Sequence, residues 1–329
     1  MSRRLIPRIA ILAIVLAAGC GGPALEPAPN VDPLPSWNDG APRTAILGFV
    51  ARVTDANGPD FVAPAERIAV VDNDGTLIIE QPSVVQFEFL YARIRRLSPE
   101  HPEWSDSPAL RAVMDNDRQA LADMTFRERG DLVTKGQANV YQQDFARAVQ
   151  DFLATGRHSR FGERYVDLAY QPMLELIRLL QANDFRVFVV SGGGIDFIRE
   201  FSEPVYGIAR ENVIGSSMKT AIKERDGRLE VYRKPGWDSL NAGPFKPLNI
   251  QLHIGRRPIL AVGNSDGDLD MLQYAHDGTL PSLVLLLKHD DAEREYVYAE
   301  EAQRALEVAE REGWSVVSMR DDFATVFAP

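Results

Sequence analysis

The chain of 329 residues contains a single cysteine, Cys20. No intramolecular disulfide can form, so the fold must stand on its buried core alone. It also lacks a basic excess: 36 Lys and Arg stand against 47 Asp and Glu, for a formal net charge of −11. The first 19 residues carry Arg3, Arg4 and Arg8 and no acid, so the remainder is more acidic still. Non-specific nucleic-acid binding needs a basic surface, and no nucleic-acid partner is expected. Long hydrophobic runs are missing apart from Ile9 to Ala18, which is too short to span a bilayer as a mature helix. There is no internal repeat. At 45% hydrophobic residues, the length suffices for one large core and a second, smaller domain.

The Ile9–Ala18 run, preceded by arginines, has the length of a signal-peptide core. It leads into Leu16-Ala17-Ala18-Gly19-Cys20, which resembles a bacterial lipobox, with Ala17 where leucine is usual. Residues 1–19 are therefore expected to be a lipoprotein signal peptide, with Cys20 lipidated as the mature N-terminus. The alternative is a plain secretory signal with an incidental cysteine. Residues 20–36, with Pro23, Pro27, Pro29, Pro33 and Pro35, read as an extended tether. On this reading the protein is extracytoplasmic and held to a bacterial membrane through the lipid on Cys20. It would lie on the periplasmic face in a cell with two membranes. No protein partner is indicated.

Beyond the tether, Ile46, Phe49, Val50 and Val53 fall at helical spacing. Ile68 to Val71 is a short apolar run that reads as a buried parallel strand. From Pro82 to about Tyr170 the patterns are helical: Phe87, Leu90, Tyr91 and Ile94 on one face, then Val140, Phe145, Val149, Phe152 and Leu153 on another. Met173, Leu174, Ile177 and Leu180 form an amphipathic helix, and Arg186–Val190 is the next strand. Residues 217–234 alternate around Asp226-Gly227 as a β-hairpin. Pro258–Val262, Leu283–Leu287 and Val316–Ser318 are further strands, with a helix expected from about Ala292 to Arg311. Strands alternating with helices predict an α/β fold, a doubly wound parallel Rossmann-like sheet. Residues 37–81 and 171–329 form this core, and 82–170 an inserted helical cap.

Three strand ends carry polar residues of complementary kinds. Val71 is followed by Asp72-Asn73-Asp74-Gly75-Thr76, with two carboxylates at the C-terminal lip where such sheets bind ligands. Val190 is followed by Ser191-Gly192-Gly193-Gly194, whose backbone N–H groups can approach an anion. Val262 is followed by Gly263-Asn264-Ser265-Asp266-Gly267-Asp268. Lys246 lies between the second and third. Each alone has an ordinary reading: an Asx turn, a β–α loop, a solvated lysine, an acidic turn. Their order and joint placement at strand ends make coincidence a poor account.

These residues together resemble the haloacid dehalogenase superfamily, specifically its phosphoserine-phosphatase-like phosphohydrolases, over about residues 65–320. Asp72-Asn73-Asp74-Gly75-Thr76 matches the first motif in full. Ser191 matches the second and Lys246 the third, with Lys234 the weaker candidate. Residues Gly263–Asp268 match the fourth, with Asn264 replacing its first aspartate. The resemblance implies that Asp72 attacks phosphorus and forms an aspartyl-phosphate, and that Asp74 protonates the leaving oxygen and then activates water. Thr76, Ser191, Gly192, Gly193 and Lys246 would join Asp72 in binding the phosphoryl group. Asp72, Asp74, Asn264 and Asp268 would serve a Mg²⁺ ion, Asp268 by orienting Lys246 or a metal-bound water. An alternative register of the fourth motif takes Asp266 and Asp270 as its acidic pair. Glu80 is a candidate for substrate specificity, and residues 288–295 are placed as a border of the cleft. The expected activity is a Mg²⁺-dependent phosphatase acting on a small phosphorylated substrate. Its rivals are a phosphotransferase using the same intermediate, and a catalytically weak binding lipoprotein, which Asn264 alone favours.

Overall fold

The computed structural model describes residues 32–328, so the expected signal peptide and Cys20 lie outside the described residues. Pro33–Pro329 form one compact unit. Among the described residues no helix is long and apolar enough to cross a membrane. Leu34 is fully buried, and the Ser36 N–H donates to Glu175 Oε2 at 2.9 Å. The tether is expected to run to residue 36, but the chain is already packed on the fold from Leu34.

Among the described residues nine strands form one sheet: β1 Ile68–Val71, β2 Val140–Tyr141, β3 Arg186–Gly194, β4 Val213–Arg225, β5 Arg228–Ser239, β6 Leu260–Gly263, β7 Leu283–Asp290, β8 Val297–Tyr298 and β9 Ser315–Ser318. The order is β2-β5-β4-β3-β1-β6-β7-β8, with β9 also paired to β7. From β4 through β3, β1, β6 and β7 to β9 every pairing is parallel. β1 sits at the centre, with Val70 opposite Phe188 on β3 and Ala261 on β6. Successive strand residues face opposite sides, and β1 divides accordingly. Ala69 and Val71 join the cluster containing Phe49, Ile177 and Leu180, while Ile68 and Val70 join the one containing Ile250, Leu272 and Ala305. Helices therefore cover both faces, as a doubly wound sheet requires. Each fully buried Ile or Val contributes roughly 1.5–3 kcal/mol.

Helices Ala41–Thr54, Val85–Leu97, Gln142–Thr155 and Gln171–Ala182 bury the residues that the sequence periodicity marks, among them Phe49, Ile94, Phe145 and Met173. Val140 departs from that reading and sits on β2, paired with Arg233 of β5. The hairpin forms about Asp226 (φ 52°) and Gly227 (φ 74°), two consecutive positive φ values that suit the twist of adjoining strands. Beyond its irregular pairing near Met218, β4 leaves the parallel sheet and runs with β5 alone. Arg233, 1% exposed, ties this hairpin to the helical segment. Its guanidinium donates to Gln137 O at 3.0 Å, Gln137 Oε1 at 2.8 Å and Gln142 Oε1 at 2.9 Å, pairs with Asp196, and lies 4.1 Å from the centroid of the Phe145 ring. The helix expected from 292 begins only at Gln303 and runs to Glu312. Residues 291–298 instead fold back on the end of β7, because Glu295 is fully buried against His289 and Tyr170.

Candidate active site

The three polar strand ends meet at one cavity of about 420 Å³, lined at one end by Asp72, Asp74, Glu80, Ser191–Gly194, Lys246 and Asp268. The Asp72 N–H still bonds back to Val262 O at 3.0 Å, so the carboxylate leaves the sheet where β1 stops. The following turn is wound on Asn73, whose carbonyl oxygen accepts from the N–H groups of Thr76, Leu77 and Ile78. Its side chain is held too: Tyr206 OH donates to Asn73 Oδ1 at 2.9 Å, and Asn73 Nδ2 donates to Asp74 Oδ1 at 3.1 Å.

Lys246, from helix Phe245–His253, is 3% exposed and donates to Asp72 Oδ1 at 2.6 Å and Asp268 Oδ1 at 2.5 Å. Asp268 Oδ2 accepts from the N–H groups of Asn264 and Ser265, both at 3.0 Å, and from Ser265 Oγ at 3.2 Å. Both oxygens of Asp268 are thereby committed to the protein, which suits orienting Lys246 and leaves little for a cation. Lys234 is exposed on β5. The Asp266/Asp270 register is also set aside, since Asp266 Oδ1 accepts from Ala305 N–H at 2.8 Å and Asp270 is exposed on the following helix.

Ser191 Oγ accepts from Gly193 N–H at 3.0 Å, while Asn241 Nδ2 donates to the Ser191 carbonyl at 2.9 Å. Gln86 Oε1 accepts from Gly194 N–H at 2.7 Å and fixes the far side of the glycine run. Thr76 departs from expectation. Its hydroxyl is fully buried and donates to Asn264 Oδ1 at 3.0 Å, away from the cavity wall. Asn264 Nδ2 in turn donates to Glu80 Oε1 at 2.7 Å. Behind this group, His289 Nε2 must donate to the Gly75 carbonyl, which only accepts, at 2.7 Å; its Nδ1 lies 3.2 Å from Glu295 Oε2. Residues 288–295 thus support the nucleophile turn from outside the cavity. The rest of the cavity wall is mostly apolar, with Phe87, Val133, Trp237, Leu240 and Phe245, and one guanidinium, Arg129.

Charge in the site is unbalanced. Asp72 is pushed up to about 7 by burial and by Asp268, which together outweigh Lys246. Asp74 is pushed up to about 7 by burial and by Asp72. Glu80 also rises to about 7, through burial offset by His289. For Lys246 burial favours the neutral amine, but Asp268 and Asp72 outweigh it and hold the ammonium above its ordinary value. The donors at hand are all oxygens, and four carboxylates face one ammonium. That set fits a hard divalent cation, which takes oxygen ligands and keeps several waters. Among the described residues no three His, Cys, Asp or Glu side chains form a ready cage, so water and substrate oxygens would have to complete the shell.

A sequence profile of haloacid dehalogenase-like hydrolases matches residues 69–273, which include all three strand ends and Lys246. The chain belongs to this family. This hydrolase superposes on a conserved protein of unknown function from Anaerococcus prevotii with a TM-score of 0.56 at 18% identity, over 83% of this chain and 90% of that one. It is also similar to a phosphoserine phosphohydrolase-like protein from Francisella tularensis (TM-score 0.42, 15% identity, 76% of this chain and 94% of that one). A probable phosphoserine phosphatase from Vibrio cholerae aligns with a TM-score of 0.41 at 14% identity, over 79% of this chain and 62% of that one. No protein with a curated description matches the chain.

Gln86, Arg129, Trp237 and Asn241 are the site's unforeseen residues. Only Gln86 had a local signal, a polar side chain on a buried helix face that is apolar but for Glu88.

Proposed function

We propose that this hydrolase is a Mg²⁺-dependent phosphatase that cleaves a small phosphomonoester through an aspartyl-phosphate on Asp72. The observation that carries the reading is Lys246, buried between Asp72 and Asp268 at the end of the cavity that Ser191 and its glycines also line. A lysine there keeps Asp72 oriented and offsets the charge of an incoming phosphoryl group. Asp72 attacks phosphorus as the bond from phosphorus to the leaving oxygen breaks. Asp74, a carboxyl pushed up to about 7 by burial, holds a proton near neutral pH and delivers it to that oxygen. The resulting carboxylate then takes a proton from water as its oxygen attacks phosphorus, which frees phosphate and restores Asp72. Ser191 Oγ and the Gly192 N–H suit the non-bridging oxygens, while the Gly193 N–H holds Ser191 Oγ in place. Asp72, the Asp74 carbonyl and Asn264 Oδ1 would hold Mg²⁺, which when bound neutralises phosphoryl charge. The apolar wall of Phe87, Val133 and Trp237 suits a leaving group with an apolar body.

The test is hydrolysis of an aryl phosphate by the full chain, with Mg²⁺ or with chelator, alongside Asp72→Asn. Turnover should need the metal and fall at least about a thousandfold in the variant. Asp72→Asn turnover within tenfold of the parent would overturn the assignment.

A further inference from the structure

Asn264 stands where the haloacid dehalogenase pattern has an aspartate, so the cation site lacks one negative charge. Two observations indicate where that charge lies. Asp72, Asp74, Glu80 and Asp268 line one cavity, yet among the described residues only Asp72 and Asp268 form an ion pair, both with Lys246. Asp74 and Glu80 make no ion pair of their own, although Lys246 and His289 offset part of their charge without direct contact. Glu80 is also in direct contact with the anomalous residue, Oε1 to Asn264 Nδ2 at 2.7 Å.

We propose that Glu80 and Asn264 act as one unit in place of the missing aspartate. In that unit Glu80 contributes the negative charge to the cation site and fixes which end of the Asn264 amide faces the nucleophile turn. This rests on the phosphatase reading above. An amide has a donor end and an acceptor end, and only the donor end is compatible with a carboxylate. Glu80 therefore holds Nδ2, and Oδ1 is left beside the turn, where it accepts from Thr76 Oγ1 at 3.0 Å with a second lone pair to spare. Without Glu80 the amide could reverse and present N–H groups to a cation. The fold makes room for the contact at Gly75, whose φ is +71°. A Cβ there would stand 2.1 Å from Asn264 Nδ2 and 2.2 Å from Glu80 Oε1, so a side chain would break the unit. Glu80 is in this account a positioning and charge-donating residue, not one that attacks or protonates substrate.

The unit predicts its own exchange. In the double variant E80Q/N264D the carboxylate moves to residue 264 and the amide to residue 80, with charge and donor–acceptor pairing both preserved. The probe is Mn²⁺, which accepts the same hard oxygen donors. Binding is read from the electron paramagnetic resonance of free Mn²⁺ over the full chain without substrate. E80Q should weaken Mn²⁺ at least tenfold, and E80Q/N264D should return to within threefold of the parent, with thermal melts reporting the fold of each. E80Q binding as tightly as the parent overturns the inference. So does a folded double variant that stays as weak as E80Q, which would assign Glu80 to a role tied to its own position. Failure of the parent reading looks different: the unsubstituted chain then hydrolyses aryl phosphate equally well in chelator, whatever E80Q does.

Discussion

Asp74→Asn should stabilise the metal-free protein while it slows turnover. The carboxyl is raised from 3.8 to about 7, chiefly by burial and next by Asp72. Each pKa unit is worth about 1.4 kcal/mol, so a fully buried group would cost the fold about 4 kcal/mol once ionised. Asp74 is half-buried and faces the cavity water, and we halve the figure to about 2 kcal/mol. The sign follows from proton counting. Between about pH 4 and pH 7 the folded protein holds a proton on Asp74 that the unfolded chain has lost, so stability falls as pH rises through this window. Asparagine does not titrate, and its oxygen keeps the bond from Asn73 Nδ2, 3.1 Å in the parent. In chelator the variant should therefore match the parent near pH 4 and gain up to about 4 °C in melting temperature by pH 8. Added Mg²⁺ should shrink that gain by compensating the carboxylates of the parent. Turnover should drop about 10²- to 10⁴-fold, the usual share of a general acid and base. An Asp74→Asn variant less stable than the parent at pH 8, or displaced by a constant amount at every pH, would show that Asp74 is not held in a charge-poor site.

Two further outcomes come from the same charge arrangement and from the N-terminal reading. Lys246→Met removes the ammonium between Asp72 and Asp268 and leaves two buried carboxylates unpaired, for a loss of about 3–5 kcal/mol. The loss should be larger at pH 8 than at pH 5, where Asp72 takes up a proton, and urea melts at the two pH values would reveal an equal loss if that account is wrong. We also propose that Cys20 carries the membrane anchor. The mature chain should then begin at Cys20, partition into detergent and show a mass increase from acyl chains, whereas Cys20→Ser should be released in soluble form.

The strand ends were legible because their signal is local. Ile68–Val71 is apolar throughout and stops at Asp72, and the structure buries all four of those residues at the centre of the sheet. Asp226-Gly227 named its own turn. Lys246 could be preferred to Lys234 because its surroundings read as a helix start, and it is the lysine, on the first turn of that helix, that reaches Asp72. What stayed hidden depends on partners distant in the chain. Arg233 has the look of a solvated strand residue, yet it is buried because Gln137, Gln142, Asp196 and Phe145 arrive to satisfy it. The run from Ala292 reads as helix by its composition. The buried contacts of Glu295 with His289 and Tyr170 outweigh that weak local preference.

Asn264 shows the same division at the scale of one residue. As a letter in the sequence it is a loss, one carboxylate fewer beside Asp72 and Asp74. In the folded chain it is one end of a contact that spans 184 positions to Glu80. Glu80 in turn has its place because Gly75 has no side chain and because His289 holds the Gly75 carbonyl from behind. A motif compares residues at fixed spacing, and charge in a cavity has no such spacing: it is summed over whatever the fold brings within a few ångströms. A departure from a catalytic motif therefore bears on activity only after the whole cavity has been counted. In this cavity the count is still four carboxylates against the Lys246 ammonium and the Arg129 guanidinium.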